Sequence, residues 1–196
     1  MHLFDFERKL LKQNFKYICG VDEVGRGAIF GPVVSGAVVL NPEKLNSDIN
    51  DSKLLSRKKR EFLAEIIYKD SLDCSIGWSW NYEIDRINIL NATKESMKMA
   101  VEGLQIIPDY VLMDGMDPDF LAIKGEGIIK GDRESLSIAA ASIIAKVFRD
   151  DLMKKFSMVF SRYGLEKNMG YATKDHVNAV KNIGDTFFHR KSFKIK

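Results

Sequence analysis

The stretch GVDEVGRG, residues 20–27, ends a short apolar segment with two adjacent acids and then turns at once on Gly-Arg-Gly. Neighbouring residues of a strand point to opposite faces of a sheet, so Asp22 and Glu23 can serve one site only where regular pairing stops. The turn at Gly25–Gly27 provides that break, because glycine tolerates backbone conformations that other residues avoid. The stretch therefore predicts a strand whose end carries two carboxylates for a common purpose.

Outward from this stretch, the chain predicts a hairpin followed by further strands and helices. The apolar runs Tyr17–Val21 and Val33–Leu40 flank the glycine turn and predict two paired strands. We expect an α/β fold in which a mixed central β-sheet is flanked by helices and followed by a helical C-terminal region. The remaining predicted elements are a helix capped by Ser56, strands at Cys74–Trp80, 110–115 and within 120–132, helices at Ala92–Leu104 and 135–156, and a terminal helix from Thr173 to Gly184.

The composition is that of an ordinary globular protein. Of the 196 residues, 45% are hydrophobic and 29% are charged, which argues against a disordered or collagen-like chain and suits one domain. The formal charge of +3 neither predicts nor excludes nucleic-acid binding. No run approaches the roughly 18 apolar residues that cross a bilayer, and no signal-peptide pattern is present, so we expect a cytoplasmic protein without membrane association. Cys19 and Cys74 lack metal or redox spacing and are expected to be small buried residues.

Four acids fall where strands of this sheet are predicted to end. Asp22 and Glu23 end the first strand, Asp114 ends a later one, and Asp132 precedes the alanine-rich helix. Carboxylates gathered without a cation raise one another's pKa, so such a set favours a site for a hard divalent metal. Mg²⁺ or Mn²⁺ is the expected ion, and a pair of these ions can activate a water and stabilise the leaving oxygen in phosphodiester cleavage.

Other interpretations of these residues stay open at this point. Each acid taken alone is compatible with a solvated loop. The glycine turn could be a dinucleotide-binding loop, but it has an extra residue before its third glycine, and the two acids upstream would repel a pyrophosphate. A P-loop sequence is absent, no serine has a recognisable His-Asp partnership, and the three histidines lack zinc spacing. The further acids that composition leaves open as ligands are Asp51, Asp117, Asp119, Asp150 and Asp151.

Five ordered motifs together resemble those of the bacterial ribonuclease HII family: GVDEVGRG, NDSKLLS, LMDG, KGDRESLSIAAASIIAKVFRD and GYATKDH. The similarity extends from about Phe15 to HRKSF at 189–193, and five motifs in order are far more specific than one glycine turn. The resemblance implies a ribonuclease H-like fold in a single catalytic domain over residues 1–196, with a small helical extension from about 160 to 196. It also implies a metal-dependent endonuclease that cuts the RNA strand of RNA–DNA hybrids and nicks duplex DNA 5′ of embedded ribonucleotides, leaving 5′-phosphate and 3′-hydroxyl ends.

The resemblance also assigns the metal-binding and catalytic residues. Asp22, Glu23, Asp114 and Asp132 correspond to the catalytic carboxylates that hold two Mg²⁺ or Mn²⁺ ions in the family. Asp22 is the residue expected to bridge the two ions. The implied partners are RNA–DNA hybrids and duplex DNA with embedded ribonucleotides. We expect a monomer with no obligatory protein partner.

The substrate-binding residues follow from the same motifs. Gly25, Arg26 and Gly27 correspond to the loop that recognises the ribose 2′-hydroxyl with backbone groups, and glycine permits the close approach because it has no Cβ. The 2′-hydroxyl is the group that distinguishes RNA from DNA at a given sugar. Tyr171 corresponds to the tyrosine that packs on the deoxyribose after the ribonucleotide. Lys53, in the DSK sequence, corresponds to a phosphate contact.

Structural alternatives exist for several of these assignments. Arg26 could form a surface ion pair with Glu23, and Tyr171 could be a half-buried anchor before a capped helix. In the long helix, we expect small side chains to pack on the sheet and Lys146 and Arg149 to brace aspartates or touch phosphate. The basic runs SRKKR at 56–60 and HRKSFKIK at 189–196 are expected to be solvated faces rather than DNA contacts.

Two other functions fit part of the pattern. A ribonuclease HIII shares the fold and chemistry, but it usually carries an N-terminal substrate-binding domain, and only about fifteen residues precede the first predicted strand. A catalytically silent nucleic-acid-binding module would need the basic contacts without all four acids. The sequence also departs from the family pattern at Ile29–Phe30, Phe148 and Ala172, and none of these positions is a proposed ligand.

Overall fold

The computed structural model describes residues 3–46, 48–49 and 55–194, in which five strands and six α-helices are formed. The strands are β1 (Ile18–Val24), β2 (Val33–Val39), β3 (Asp73–Ser79), β4 (Tyr110–Asp114) and β5 (Gly125–Ile128). The helices are α1 (Asp5–Lys12), α2 (Arg57–Asp70), α3 (Asn81–Glu102), α4 (Leu136–Val159), α5 (Leu165–Asn168) and α6 (Lys174–Ile183), with short 3-10 turns at Gly131–Arg133 and Ser161–Tyr163.

The five strands form one mixed sheet in the order β3-β2-β1-β4-β5. The predicted hairpin is confirmed, because β1 and β2 pair antiparallel across the glycine turn with Asp22 opposite Gly36. β3 continues this antiparallel half, whereas β4 runs parallel to β1 and β5 runs parallel to β4. The prediction of a mixed sheet flanked by helices is therefore confirmed.

Glycines let two helices approach the sheet closely, one on each face. A Cβ on Gly20 of β1 would lie 2.1 Å from the carbonyl carbon of Ser137, and a Cβ on Gly36 of β2 would lie 2.5 Å from the carbonyl oxygen of Ala141. The small apolar first half of α4 is buried against these strands, as its sequence predicts. On the opposite face, a Cβ on Gly77 of β3 would lie 2.1 Å from the carbonyl oxygen of Ser96 in α3. The position of β1 is thus fixed by close backbone contact with α4.

Helix ends agree with the prediction where the sequence provides a cap. The Ser56 hydroxyl accepts a hydrogen bond from the Lys59 N–H at 3.3 Å and begins α2. The Thr173 hydroxyl accepts from the His176 N–H at 3.3 Å and begins α6, which ends before Gly184 at φ +82°. A capping hydroxyl and a glycine with positive φ are local signals, which is why both are visible in the sequence.

The helix α3 is longer than predicted. It begins at Asn81 rather than near Ala92, because the Glu83 carboxylate accepts the Trp80 N–H at 2.8 Å and caps the first turn. Asn88 interrupts the helical conformation with φ 68°. This interruption breaks the apolar periodicity, so the sequence predicts only the second part of α3.

The helix α1 has no counterpart in the prediction, since it depends on a tertiary contact. Glu7 is buried, and its Oε1 accepts three hydrogen bonds from the beginning of α4: from Ser135 Oγ at 2.6 Å, Ser137 N at 2.9 Å and Ser137 Oγ at 2.7 Å. A carboxylate at a helix N-terminus satisfies free N–H groups and interacts favourably with the helix dipole. The contact joins α1 to the segment that follows Asp132.

The helical C-terminal region packs on the second half of α4 around Phe30. Phe30 is fully buried, and its ring lies 5.4 Å from that of Phe156, 5.9 Å from that of Phe160 and 6.0 Å from that of Phe188. The segment around His189 then pairs with the chain just after the glycine turn, through an antiparallel β-bridge between His189 and Phe30. The departure from the family pattern at Phe30 therefore serves packing.

Two buried histidines face each other in this region. The rings of His176 and His189 meet through their Nε2 atoms at 3.3 Å. The Tyr171 carbonyl lies 2.9 Å from His176 Nδ1, and His189 Nδ1 accepts the Thr186 N–H at 2.9 Å, so His189 Nε2 carries the proton shared between the rings. Burial, followed by the neighbouring His176, lowers the pKa of His189 to about 4, and burial lowers the pKa of His176.

This pair predicts destabilisation in acid. Below a pH of about 6.5 the histidines of the unfolded chain become protonated, whereas His189 in the folded protein stays neutral down to a pH of about 4. The free energy of unfolding therefore falls as the pH decreases over this range. At pH 5 the loss from His189 is expected to reach up to about 2 kcal/mol. Urea unfolding of the wild type and of His189→Gln at pH 7.5 and pH 5 measures it. If the free energy of unfolding fell equally between pH 7.5 and pH 5 in both proteins, His189 would not be the cause of the loss.

Both cysteines are free thiols. Cys19 is fully buried, as predicted, and burial raises its pKa to about 12. Cys74 is only partly buried, and burial followed by the nearby Asp73 raises its pKa to about 11. Over the described ranges, the structure contains no helix with the length and apolarity needed to cross a membrane.

Candidate active site

Two carboxylates lie next to each other at the ends of parallel strands. The register of β1 and β4 pairs Val21 with Met113, so the next residues along the two strands, Asp22 and Asp114, are neighbours across the ladder. Adjacent strands are about 4.8 Å apart. Asp22 is only 4% exposed, and Asp114 is half-buried. The parallel pairing therefore places two of the four predicted acids side by side.

Glu23 joins this pair at the end of the strand. Its N–H donates to Asp22 Oδ1 at 2.7 Å, and Arg26 Nη1 donates to Glu23 Oε1 at 3.3 Å. Burial raises the pKa of Glu23, Arg26 opposes the shift, and the negative charge of Asp114 adds to it. Because Asp114 acts on Glu23 as well as on Asp22, the three acids are close enough to interact.

Asp132 lies in the 3-10 turn Gly131–Arg133, which is anchored to the same place. The Gly131 N–H donates to Asp114 Oδ1 at 2.6 Å. Lys130, just before the turn, has φ 57°, and this left-handed residue redirects the chain from β5 towards α4. Asp132 is buried and is the next residue after the one that contacts Asp114. The turn thus joins the segment of Asp132 to Asp114, one of the three interacting acids.

The electrostatics of Asp22 are those of a carboxylate among like charges. Burial, followed by the charges of Glu23 and Asp114, raises the pKa of Asp22 well above its ordinary value. Hydrogen bonds from the Ser142 hydroxyl and the Glu23 N–H favour the ionised form but do not outweigh these effects. Ser142, on α4, thus supports the Asp22 carboxylate.

The donor set fits a hard divalent cation. All four acids offer oxygen ligands, and Glu23 Oε2 is buried without a hydrogen-bond partner among the described residues. Within the described part of the chain, no group of three or more His, Cys, Asp or Glu side chains is arranged in this conformation so that it could hold a metal ion. Asp22, Glu23 and Asp114 repel one another in this conformation, and a cation would remove that repulsion.

The other acids that composition left open are engaged elsewhere. Asp117 accepts the Gly127 N–H at 2.9 Å, next to the β4–β5 pairing. The remaining three described acids form ion pairs with lysines: Asp119 with Lys94, Asp150 with Lys146, and Asp151 with Lys154. Asp51 lies outside the described residues.

The Gly-Arg-Gly loop follows Glu23 directly and has an unusual backbone. Gly25 has φ +90°, and a Cβ there would lie 2.1 Å from Arg149 Nε, so only glycine fits. Arg26 and Gly27 are exposed, and Arg26 forms the ion pair with Glu23 that was considered as its structural role. A buried arginine, Arg190, lies beneath the loop and donates to the carbonyl groups of Gly25 and Arg26, both at 2.8 Å.

The expectation that Arg149 braces an aspartate or touches phosphate is wrong. Arg149 is fully buried and donates to the carbonyl oxygens of Phe30 at 3.1 Å, Pro32 at 3.1 Å and Met169 at 2.7 Å. Lys146 does contact an aspartate, because its Nζ donates to Asp150 at 2.6 Å. The carbonyl contacts of Arg149 join the loop after β1 to the C-terminal region.

The HRKSF segment is less exposed to solvent than expected. Arg190 is 1% exposed although it lies in a basic run. Burial, followed by the neighbouring Arg149, lowers the pKa of Arg190 to about 9, so the guanidinium remains charged at neutral pH. Sequence reasoning missed both buried arginines, because a carbonyl acceptor leaves no signal in the sequence.

Tyr171 lies beside the loop and is half-buried. Its backbone forms a bridge with Ala28, and the Arg149 guanidinium lies 5.5 Å from the centre of its ring. The structure thus brings Tyr171 and the glycine loop together on one support. Lys53, the predicted phosphate contact, lies outside the described residues.

Comparisons with known proteins agree over most of the chain. The family described as Ribonuclease HII matches residues 19–196. The ribonuclease HII of Caldicellulosiruptor saccharolyticus is 46% identical over 190 residues, which cover 97% of this chain and 93% of that relative.

Solved structures show the same architecture. The ribonuclease H2 of Pyrococcus horikoshii OT3 superposes with a TM-score of 0.76 at 26% identity and covers 92% of this chain and 95% of its own. A Bst-RNase HIII in complex with Mn²⁺ has a TM-score of 0.67 at 20% identity, over 86% of this chain and 63% of its own. The ribonuclease H-like fold predicted from the motifs is confirmed, and the chain, a ribonuclease H enzyme, belongs to the ribonuclease HII family.

Proposed function

We propose that this chain is a divalent-metal-dependent endonuclease that nicks duplex DNA on the 5′ side of embedded ribonucleotides and also hydrolyses the RNA strand of RNA–DNA hybrids. The products would be 5′-phosphate and 3′-hydroxyl ends. The observation that carries the proposal is the position of the Gly25–Gly27 loop, which follows the buried Asp22 and the partly buried Glu23 directly and exposes Arg26 and Gly27. A group bound by the loop would lie next to the carboxylates that cut.

Asp22, Glu23, Asp114 and Asp132 would hold the metal, which is Mg²⁺ or Mn²⁺. When bound, two such ions supply an activated water and stabilise the leaving oxygen of the phosphodiester. An all-carboxylate donor set supports these hard ions over zinc. The Mn²⁺ in the related ribonuclease HIII structure is consistent with this choice.

The chain itself would orient the carboxylates and the sugar. Ser142 and the Glu23 N–H hold the Asp22 carboxylate by hydrogen bonds. The Gly131 N–H holds Asp114 Oδ1 and so fixes the direction of that side chain. These contacts limit side-chain rotation before substrate arrives, and such preorganisation is a large part of catalysis by positioning.

Backbone groups of Gly25–Gly27 would contact the ribose 2′-hydroxyl, and Tyr171 would pack on the next deoxyribose. The exposure of Arg26 and Gly27 beside a half-buried tyrosine supports this assignment. The Arg26–Glu23 ion pair lies at the same place, so a bound phosphate or metal would compete for both side chains. Lys53 is proposed as a phosphate contact on the motif alone.

The proposal is tested with a duplex DNA that holds one ribonucleotide. With Mg²⁺ or Mn²⁺ we expect a single nick 5′ of the ribonucleotide, no nick in the all-DNA duplex and no nick with EDTA. Binding without metal-dependent cleavage would identify a silent nucleic-acid-binding module instead. Cleavage of this duplex is also compared with cleavage of a second duplex that contains a longer RNA run. A ribonuclease HIII-like activity would cleave the longer run in preference to the single ribonucleotide.

A further inference from the structure

Arg190 is a buried cation that binds backbone carbonyl groups. Its guanidinium donates to Gly25 O and Arg26 O at 2.8 Å each and to Gly31 O at 3.0 Å. Burial of a charged side chain is unfavourable unless hydrogen bonds compensate for lost water, and buried arginines usually meet carboxylates. A guanidinium placed on three neutral acceptors of one loop fixes the orientation of that loop's peptide groups.

The orientation of the carbonyl groups determines that of the amide groups. The described peptide bonds are trans, and a trans peptide points its C=O and the following N–H in opposite directions. Because Gly25 O and Arg26 O point inward to Arg190, the N–H groups of Arg26 and Gly27 point away from it. Both residues are exposed, so their N–H groups are directed to the outer side of the loop.

Arg190 is itself held in place from two sides. The Asp85 carboxylate accepts the N–H groups of Lys191 and Ser192 at 2.9 Å each and the Ser192 hydroxyl at 2.6 Å. The Arg190 N–H donates to Ile29 O at 2.8 Å, which pairs its segment with the end of the loop. The anchor at Asp85 therefore fixes the backbone from which the Arg190 side chain reaches the loop.

The geometry points to Arg190 as a positioning residue for ribonucleotide recognition. By holding Gly25 O and Arg26 O inward, it directs the N–H groups of Arg26 and Gly27 towards the sugar of a bound ribonucleotide. It thereby sets the preference for ribose over deoxyribose without touching the substrate. This inference rests on the proposed function and extends it to a residue beneath the loop.

The test measures discrimination separately from turnover. KM and kcat are measured for a duplex with one ribonucleotide, and the inhibition constant Ki is measured for the all-DNA duplex of the same sequence. Arg190→Lys retains the charge but lacks the planar fork that spans three carbonyls. We expect the ratio of KM to Ki to rise about tenfold, with Ki changed less than twofold. Arg162→Lys, at an exposed arginine of the 3-10 turn Ser161–Tyr163, is the matched control and should leave the ratio unchanged.

A purely structural role gives a different result. A loss of folded protein lowers apparent kcat and leaves the KM to Ki ratio as it was, which would overturn the inference. If Arg190→Lys does not fold, Asp85→Asn decides the question, since it should raise the ratio in the same direction by a smaller factor, and an unchanged ratio overturns the inference. Failure of the proposed function is distinguishable, because then the wild type itself would not cleave the ribonucleotide duplex.

Discussion

Replacement of Asp22 by asparagine is expected to lower kcat/KM for a duplex with one ribonucleotide by at least about 10³-fold, or about 4 kcal/mol of transition-state stabilisation. Asp22 is the most central of the four acids, since Glu23 and Asp114 both act on its pKa. Asparagine keeps the size and the acceptor for the Glu23 N–H but removes the charge that would bind metal. Single-turnover cleavage with Mg²⁺ and with Mn²⁺ measures the loss.

The matched control is Asp119→Asn. Asp119 is 71% exposed and pairs with Lys94 at the surface, so this variant should cleave within about twofold of the wild type. If Asp22→Asn retained wild-type activity, Asp22 would not be a ligand, and the proposed site would be wrong.

The same substitution is expected to stabilise the metal-free protein. The folded pKa of Asp22 is raised above its ordinary value of 3.8, so the unfolded chain loses this proton first as the pH rises. The free energy of unfolding therefore falls from about pH 3.8 up through the folded pKa. At pH 7.5 in EDTA, Asp22→Asn should unfold at a higher temperature than the wild type. Added Mg²⁺ should raise the unfolding temperature of the wild type far more than that of Asp22→Asn. A lower unfolding temperature for the variant in EDTA would contradict the raised pKa.

The substitution Gly20→Ala is expected to have the largest effect on stability. The new Cβ would lie 2.1 Å from the carbonyl carbon of Ser137 and 2.3 Å from Ile138 N, which are backbone atoms of α4. Backbone atoms cannot rotate away, so α4 must move from the sheet and disturb the packing around it. We expect a loss of about 3 kcal/mol or more in the free energy of unfolding, as for other overpacked core positions. Urea unfolding measures this loss.

Gly27→Ala is the matched comparison for stability. A Cβ on Gly27 has no atom within 4 Å among the described residues, and Gly27 does not have positive φ, so its unfolding free energy should stay within about 0.5 kcal/mol of the wild type. Because Gly27 belongs to the proposed recognition loop, its cleavage activity should fall all the same. Equal unfolding free energies for Gly20→Ala and Gly27→Ala would show that α4 does not depend on the missing side chain at Gly20.

The predictable part of this fold rests on local signals. Apolar runs on both sides of the glycine turn predict the hairpin, and the acids at predicted strand ends indicate Asp22, Glu23 and Asp114 before any coordinates are known. The alanine-rich start of α4 predicts close packing, because small side chains shorten the distance between backbones. The position of Asp132 before the alanine-rich helix adds the fourth acid, and the five motifs add the family.

The unpredicted part depends on tertiary partners. Helix α1 is fixed by Glu7 at the beginning of α4, and no pattern within residues 5–12 indicates that contact. Arg149 and Arg190 look like surface cations in the sequence, since their acceptors are carbonyl groups that every residue possesses. Composition and periodicity describe side chains, so they cannot predict contacts that are made to backbone groups.

The hydrogen bond from Arg190 to Gly25 joins residues 165 positions apart and thus has a consequence for biosynthesis. The acids of β1 and β4 and the first half of α4 leave the ribosome well before Arg190 does. A nascent or proteolytically shortened chain that ends before Arg190 would contain the four proposed metal ligands but would lack the side chain that supports the proposed recognition loop. We therefore expect selectivity for ribose to depend on a residue that is translated long after the acids of β1 and β4.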